Sequence, residues 1–284
     1  MEHRTHSVLE WLVPLAFIIS AGWVIWNGPG YIMAFGWGDQ FDALAARYPA
    51  ANALDWIALV ALPIFLVLGT MTVRRASMEF MDWGVFDRLS VFIGRVTMLL
   101  IVLLVTVMVY EVVLRYAFER PTLWANEMSL WMAGFIFVLA GLYAMQQRSH
   151  IRIFLLYDLM PRWLQRTCDT ISTILIMVFA FALVWGGFGE AQAKFLRWET
   201  FGTAFDPPIP ATEKPLILIV VMLVAVQAVA NLIRDWDAEP EIHTAADDID
   251  ADELARLRAA VGSDGIDDQD VTRSSIQSTG SRQA

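Results

Sequence analysis

Long apolar runs, each closed off by charged or turn-forming residues, dominate the pattern of this chain. They fall at roughly 11–27, 56–73, 91–110, 128–145, 170–189 and 215–233. A helix rises about 1.5 Å per residue, so about 20 apolar residues cross the roughly 30 Å hydrocarbon core of a bilayer. The pattern therefore predicts six transmembrane helices: an all-α integral membrane protein, built as a helical bundle. The first run is the weakest, because a short apolar core after a modest basic start also fits a signal peptide. Trp23 and Trp26 suit an interfacial anchor and no A-x-A cleavage pattern follows, so the span is expected to be retained. Pro14 and Pro63 are expected to kink the first two spans.

Composition agrees: 57% of the 284 residues are hydrophobic and 18% charged, with a mean hydropathy of +0.52. The formal net charge of −10 is not spread along the chain. Residues 235–284 hold 13 acids, among them Asp247, Asp248, Asp250, Asp252 and Glu253, against Arg256, Arg258, Arg273 and Arg282. That acidic, aromatic-poor tail buries too little apolar surface to offset its ordering entropy and is expected to be disordered, apart from a short amphipathic stretch at 252–260. Cys168 is the only cysteine, which excludes an internal disulfide and leaves packing as its expected role.

Basic residues in short loops set the sidedness of a membrane protein. Arg74, Arg75 and Arg88 lie in the second connection, Arg148, Arg152, Arg162 and Arg166 in the fourth, and Arg234 after the last span. The odd connections carry fewer, so both termini are expected in the cytoplasm and the odd loops outside. The first loop, from Asn27 to Asp55, reads as turns along the outer interface. Residues 153–166 alternate apolar with basic positions and carry Trp163, as a segment lying in the cytoplasmic headgroup region would.

Chemistry inside the spans is sparse. Thr106, Ser172, Thr173 and Gln227 are the midway polar residues, each expected to bond backbone rather than a ligand, and Arg95 sits where it can snorkel. The histidines, His3, His6, His150 and His243, all lie outside the spans, which argues against axial haem ligation. No phosphate loop, HExxH or nucleophile triad appears, so no enzyme activity, cofactor, metal or nucleic-acid partner is expected.

Charge gathers instead in the turn between the third and fourth spans, "EVVLRYAFERPTLWANEMSLW" from Glu111 to Trp131. Glu111 and Arg115 stand i,i+4 with the acid first, which puts both on one helix face in the favourable order. Arg115 complements the dipole at a helix C-terminus, Glu127 that at the start of the next helix. Pro121 suits the first turn of the fourth helix. Two readings stand: Glu111, Arg115 and Glu127 form a charge cluster that fixes a tight hairpin or docks it against a second membrane protein, or they snorkel to the headgroups beside Trp124 as a belt anchor.

The pattern E-x3-R-Y-x-F-x-R-P-x-x-W-x-N-E, followed by Gly134, Gly141 and "SHIRI", resembles the small membrane subunit of tripartite ATP-independent periplasmic (TRAP) transporters, the DctQ family. Glu111, Arg115, Phe118, Pro121, Trp124, Glu127, Gly141, His150 and Arg152 are the matching positions, and the likeness covers roughly 86–234. Three features depart from the family pattern: the two N-terminal spans and the acidic tail lie outside its usual four spans, Phe154 stands near a common Asp, and Asn126 where a second acid is common. The resemblance implies three segments: an N-terminal extension with two spans (1–85), a four-helix DctQ-like domain (86–234) and the acidic tail (235–284). It further implies a non-catalytic subunit in the bacterial inner membrane that scaffolds the large TRAP membrane subunit. A periplasmic substrate-binding protein would deliver a small, carboxylate-bearing solute for sodium-coupled uptake. Structural or interface roles are then expected for Glu111, Arg115, Pro121, Trp124, Glu127, Gly134, Gly141, His150 and Arg152. Gly186 and Gly187 join Gly134 and Gly141 as places for close helix contact. The competing reading is a membrane anchor or assembly subunit of another complex, recruiting a cytoplasmic protein through the acidic tail.

Overall fold

A computed structural model describes residues 8–36, 39–74, 76, 84–148, 157 and 160–236. Eight helices are described: α1 (Val8–Trp26), α2 (Gly28–Phe35), α3 (Asp39–Ala45), α4 (Ala53–Thr72), α5 (Val85–Ala117), α6 (Ala125–Gln146), α7 (Arg162–Leu196) and α8 (Ile209–Asp235). Five of them, α4 to α8, are long and apolar enough to cross a membrane, and α1 with α2 makes a sixth candidate bent by 63°. The acidic tail beyond Trp236 and residues 153–156, 158 and 159 of the 153–166 segment lie outside the described residues. So do His150 and Arg152. Almost all that is described belongs to one compact unit, Met1–Arg152 with Trp163–Ala238. The second unit, Ile153–Arg162 with Glu239–Ala284, has only Tyr157 and 160–162 among the described residues.

Local chemistry sets the boundaries. Asn52 caps α4, its side chain accepting from the amides of Leu54 (2.8 Å) and Asp55 (3.2 Å), while the Asp55 carboxylate accepts from the Asn52 amide (2.7 Å). Asp87 does the same for α5 by accepting from the Gly84 amide at 2.7 Å. Pro29, in the first turn of α2, cannot continue α1, and the chain bends between Trp26 and Gly28. α1 runs over Pro14, and α4 over Pro63, as continuous helices. The first loop, expected as turns, holds two short helices, α2 and α3.

The main core joins α1, α4, α5, α6 and α8 around Val91, Phe92, Ile93, Val96, Leu142 and Val220. Phe92 meets Phe17 of α1 edge to face at 5.5 Å, so the N-terminal helices pack on the first half of α5. A smaller core of Ile32, Leu44, Trp198 and Ala211 lies at the end where α5 turns into α6, called the hairpin end below. Gly28 is required there, because a Cβ at that position would stand 2.0 Å from the Trp198 ring. Trp23, expected as an interfacial anchor, donates its indole N–H to Asp55 at 2.9 Å, and Tyr31 donates to the Asp55 carbonyl at 2.6 Å.

Candidate functional site

At the hairpin end the carboxylate of Glu111, 3% exposed, faces the turn. Arg115 donates to its Oε1 from Nε (3.1 Å) and Nη2 (2.6 Å). Its Oε2 accepts from the Thr122 amide (3.0 Å) and the Thr122 hydroxyl. One turn of helix supplies the cation and the returning chain supplies the other donors, so a single carboxylate latches the end of α5 to the approach to α6. Glu119 takes the left-handed conformation (φ 54°) that reverses the chain, and the Arg120 amide reaches back to the Leu114 carbonyl at 2.9 Å. Pro121 differs from its expected place: α6 starts at Ala125, four residues later, and Pro121 lies in the connecting loop. The first N–H of α6 is met by Thr122 Oγ1 (3.3 Å) in place of a proline. Trp124 is the N-cap residue of α6 and its ring lies 6.1 Å from that of Tyr110.

Glu127 does not join this cluster. Its Oε2 accepts from the Thr203 hydroxyl and from the amides of Phe205 and Asp206, both at 3.2 Å. Arg115 is already held by Glu111 in its own helix, whereas the 197–208 loop turns two backbone N–H groups inward and needs an acceptor. That loop is further tied by Arg47 to Asp206 (3.5 Å) and by the rings of Trp26 and Phe205 at 5.9 Å. Trp131, one turn past Glu127 on α6, donates to Thr212 Oγ1 of α8 at 2.9 Å. Glu111 and Glu127 thus hold two different joints, α5 to α6 and α6 to the loop before α8.

The opposite end holds a buried network that sequence reasoning missed. Asp87 of α5, 1% exposed, takes both terminal nitrogens of Arg234 of α8, one to each oxygen (Nη2 to Oδ1 at 2.8 Å). Gln227 donates to Asp87 Oδ1 (2.8 Å) and to Asn231 (2.9 Å), and Asn231 donates to the Met145 carbonyl of α6 (2.8 Å). Ser90 adds a hydroxyl to Gln227 at 3.1 Å. Gln227 therefore bonds across helices, not to its own backbone as Thr106 (to the Val102 carbonyl, 2.7 Å) and Thr173 (to the Asp169 carbonyl, 2.8 Å) do. Gln227, Asn231 and Arg234 recur at helical spacing on an otherwise apolar span, and that row was the available signal. Arg95, expected to snorkel, is 7% exposed and meets Glu10 of α1 at 3.9 Å. Its partner lies in another helix, out of reach of any local pattern.

Of the glycines singled out, Gly134 lies under the carboxyl of Glu213, and Gly187 approaches Leu218 of α8, to which a Cβ would stand 3.2 Å. A Cβ at Gly141 or Gly186 would meet nothing within 4 Å, so no close contact among the described residues explains either. Among the described residues no group of three or more His, Cys, Asp or Glu side chains could hold a metal ion.

These features define a multi-span α-helical membrane protein whose buried polar side chains chiefly bind one helix or loop to another. Residues 104–238 match the family model described as "Tripartite ATP-independent periplasmic transporters, DctQ component". The match begins inside α5, leaving α1 to α4 outside it. No curated protein and no solved structure gives a match.

Proposed function

We propose that the chain is the non-catalytic small permease subunit of a sodium-coupled TRAP transporter in the bacterial inner membrane, with both termini cytoplasmic. Its role is to scaffold the large membrane subunit while a periplasmic binding protein delivers a small, carboxylate-bearing solute. The family match over 104–238 carries this reading. It is supported by the use of the polar groups: Asp87, Arg234, Gln227, Asn231, Glu111 and Glu127 are all engaged in joining helices and loops, the work of a scaffold and not of a solute path. Glu111, Arg115, Thr122 and Glu127 keep the hairpin end rigid, and the Asp87 network does so at the other end.

The test is reconstitution. Liposomes holding this chain and the large subunit should take up solute only with the binding protein outside and an inward sodium gradient. Uptake by this chain alone, or purification only with a soluble cytoplasmic protein, would overturn the reading.

A further inference from the structure

Glu213 of α8 is an acid at the α6–α8 contact that takes part in none of these ties. Its carboxyl lies on the backbone of α6, so close that a Cβ at Gly134 would be 2.0 Å from Oε1 and 2.6 Å from Oε2. Gly134 is nine residues into α6, roughly 13 Å along the axis from its start and level with apolar side chains. Oε1 is sealed from solvent and has no hydrogen-bond partner among the described residues. The side chain as a whole keeps partial exposure, which leaves an approach from outside. Nearby charges are already matched: Lys214 with Glu190, Lys194 with Glu199, and Glu127 with the 203–206 amides. The adjacent donor, the Trp131 indole, is directed to Thr212.

An ionised carboxylate in such a setting is strongly disfavoured until a cation reaches it. A bare metal ion needs several converging oxygens, and the described residues gather no such set. A guanidinium or ammonium needs only the carboxylate. Resting on the reading of this chain as a small TRAP subunit, we propose that Glu213, seated on Gly134, receives a basic side chain of the large membrane subunit. In the complex the carboxyl becomes one half of an intersubunit ion pair.

Dicyclohexylcarbodiimide, which modifies protonated carboxyls in apolar surroundings, reads this directly when Glu213 labelling is followed by mass spectrometry. Glu213 should be labelled in the free chain and about tenfold less in the purified complex, in line with a buried pair that excludes the neutral form. Glu213→Gln should weaken assembly by about thirtyfold or more, as loss of one partner of a buried charge pair does. Gly134→Ala, which displaces only the flexible end of Glu213, should do the same while leaving the free chain folded. Equal labelling in an intact complex, protection of the free chain by sodium alone, or wild-type assembly of Glu213→Gln would each overturn the inference and leave the proposed function standing. A wild-type chain that forms no complex with the large subunit would overturn both.

Discussion

α7 and α8 are successive long apolar helices joined by one loop, yet they are held very differently. Of the most apolar window of α8, 28% is buried, against 11% for α7. α8 turns Ala225, Gln227, Ala228 and Asn231 inward. α7 keeps Phe179, Phe181, Trp185 and Phe188 exposed. In a bilayer the lipid tails are as apolar as these side chains, so hydrophobicity draws a helix into the membrane without choosing its neighbour. Small residues and polar groups make that choice. α8 has both where it crosses α5 and α6, while α7 reaches α8 through Gly187 against Leu218 and the Lys214–Glu190 pair.

Asp87→Ala should therefore have the largest effect. It strands Arg234 beside a buried network and is expected to cost about 3–5 kcal/mol. Unfolding of the purified subunit in mild detergent would show this, and Arg234→Ala should add little in the double variant, because the two form one unit. If the two effects add in full, polar pairing is not what separates α8 from α7. Gln227→Ala comes next, at about 1–3 kcal/mol, since it leaves a bond of Asp87 and one of Asn231 unmade.

The contrast between the two helices was only half legible in the sequence. The apolar runs placed every long helix, because length and hydropathy are local properties. The ends were missed: the run at 91–110 belongs to a helix of 33 residues and that at 170–189 to one of 35. Polar residues such as Asp87 and Arg166 continue these helices past the apolar stretch, so hydropathy alone stops short. At the candidate site the Glu111–Arg115 bond was readable from its i,i+4 spacing. Glu127 was not, because its acceptor role depends on a loop 76 or more residues away. Asp87 with Arg234 (147 apart) and Arg95 with Glu10 failed to show for the same reason: the partners meet only after the bundle has formed.

Glu127 of α6 holds the loop that joins α7 to α8 and tests whether that joint is rigid. Glu127→Ala removes the acceptor for the Phe205 and Asp206 amides, an expected loss of about 1–3 kcal/mol for a charged acceptor. Cleavage of the 197–208 loop by added protease should rise in the variant while cleavage at the Glu111-latched turn stays at the wild-type level. Equal acceleration at both turns would mean the two latches are one cooperative unit.

The smallest effect is expected from α7, and it bears most directly on the comparison. Trp185 is 79% exposed on a face with no covering helix among the described residues, so Trp185→Ala should change the stability of the isolated subunit by no more than about 0.5 kcal/mol. A tryptophan buried against other helices would cost several times that when truncated, about 3–5 kcal/mol. Measured in the same detergent as Asp87→Ala, an unchanged midpoint confirms that α7 holds its place by its own helix and by lipid. A midpoint that falls as far as that of Asp87→Ala would mean that α7 is packed like α8, and the rule drawn from their difference would fail.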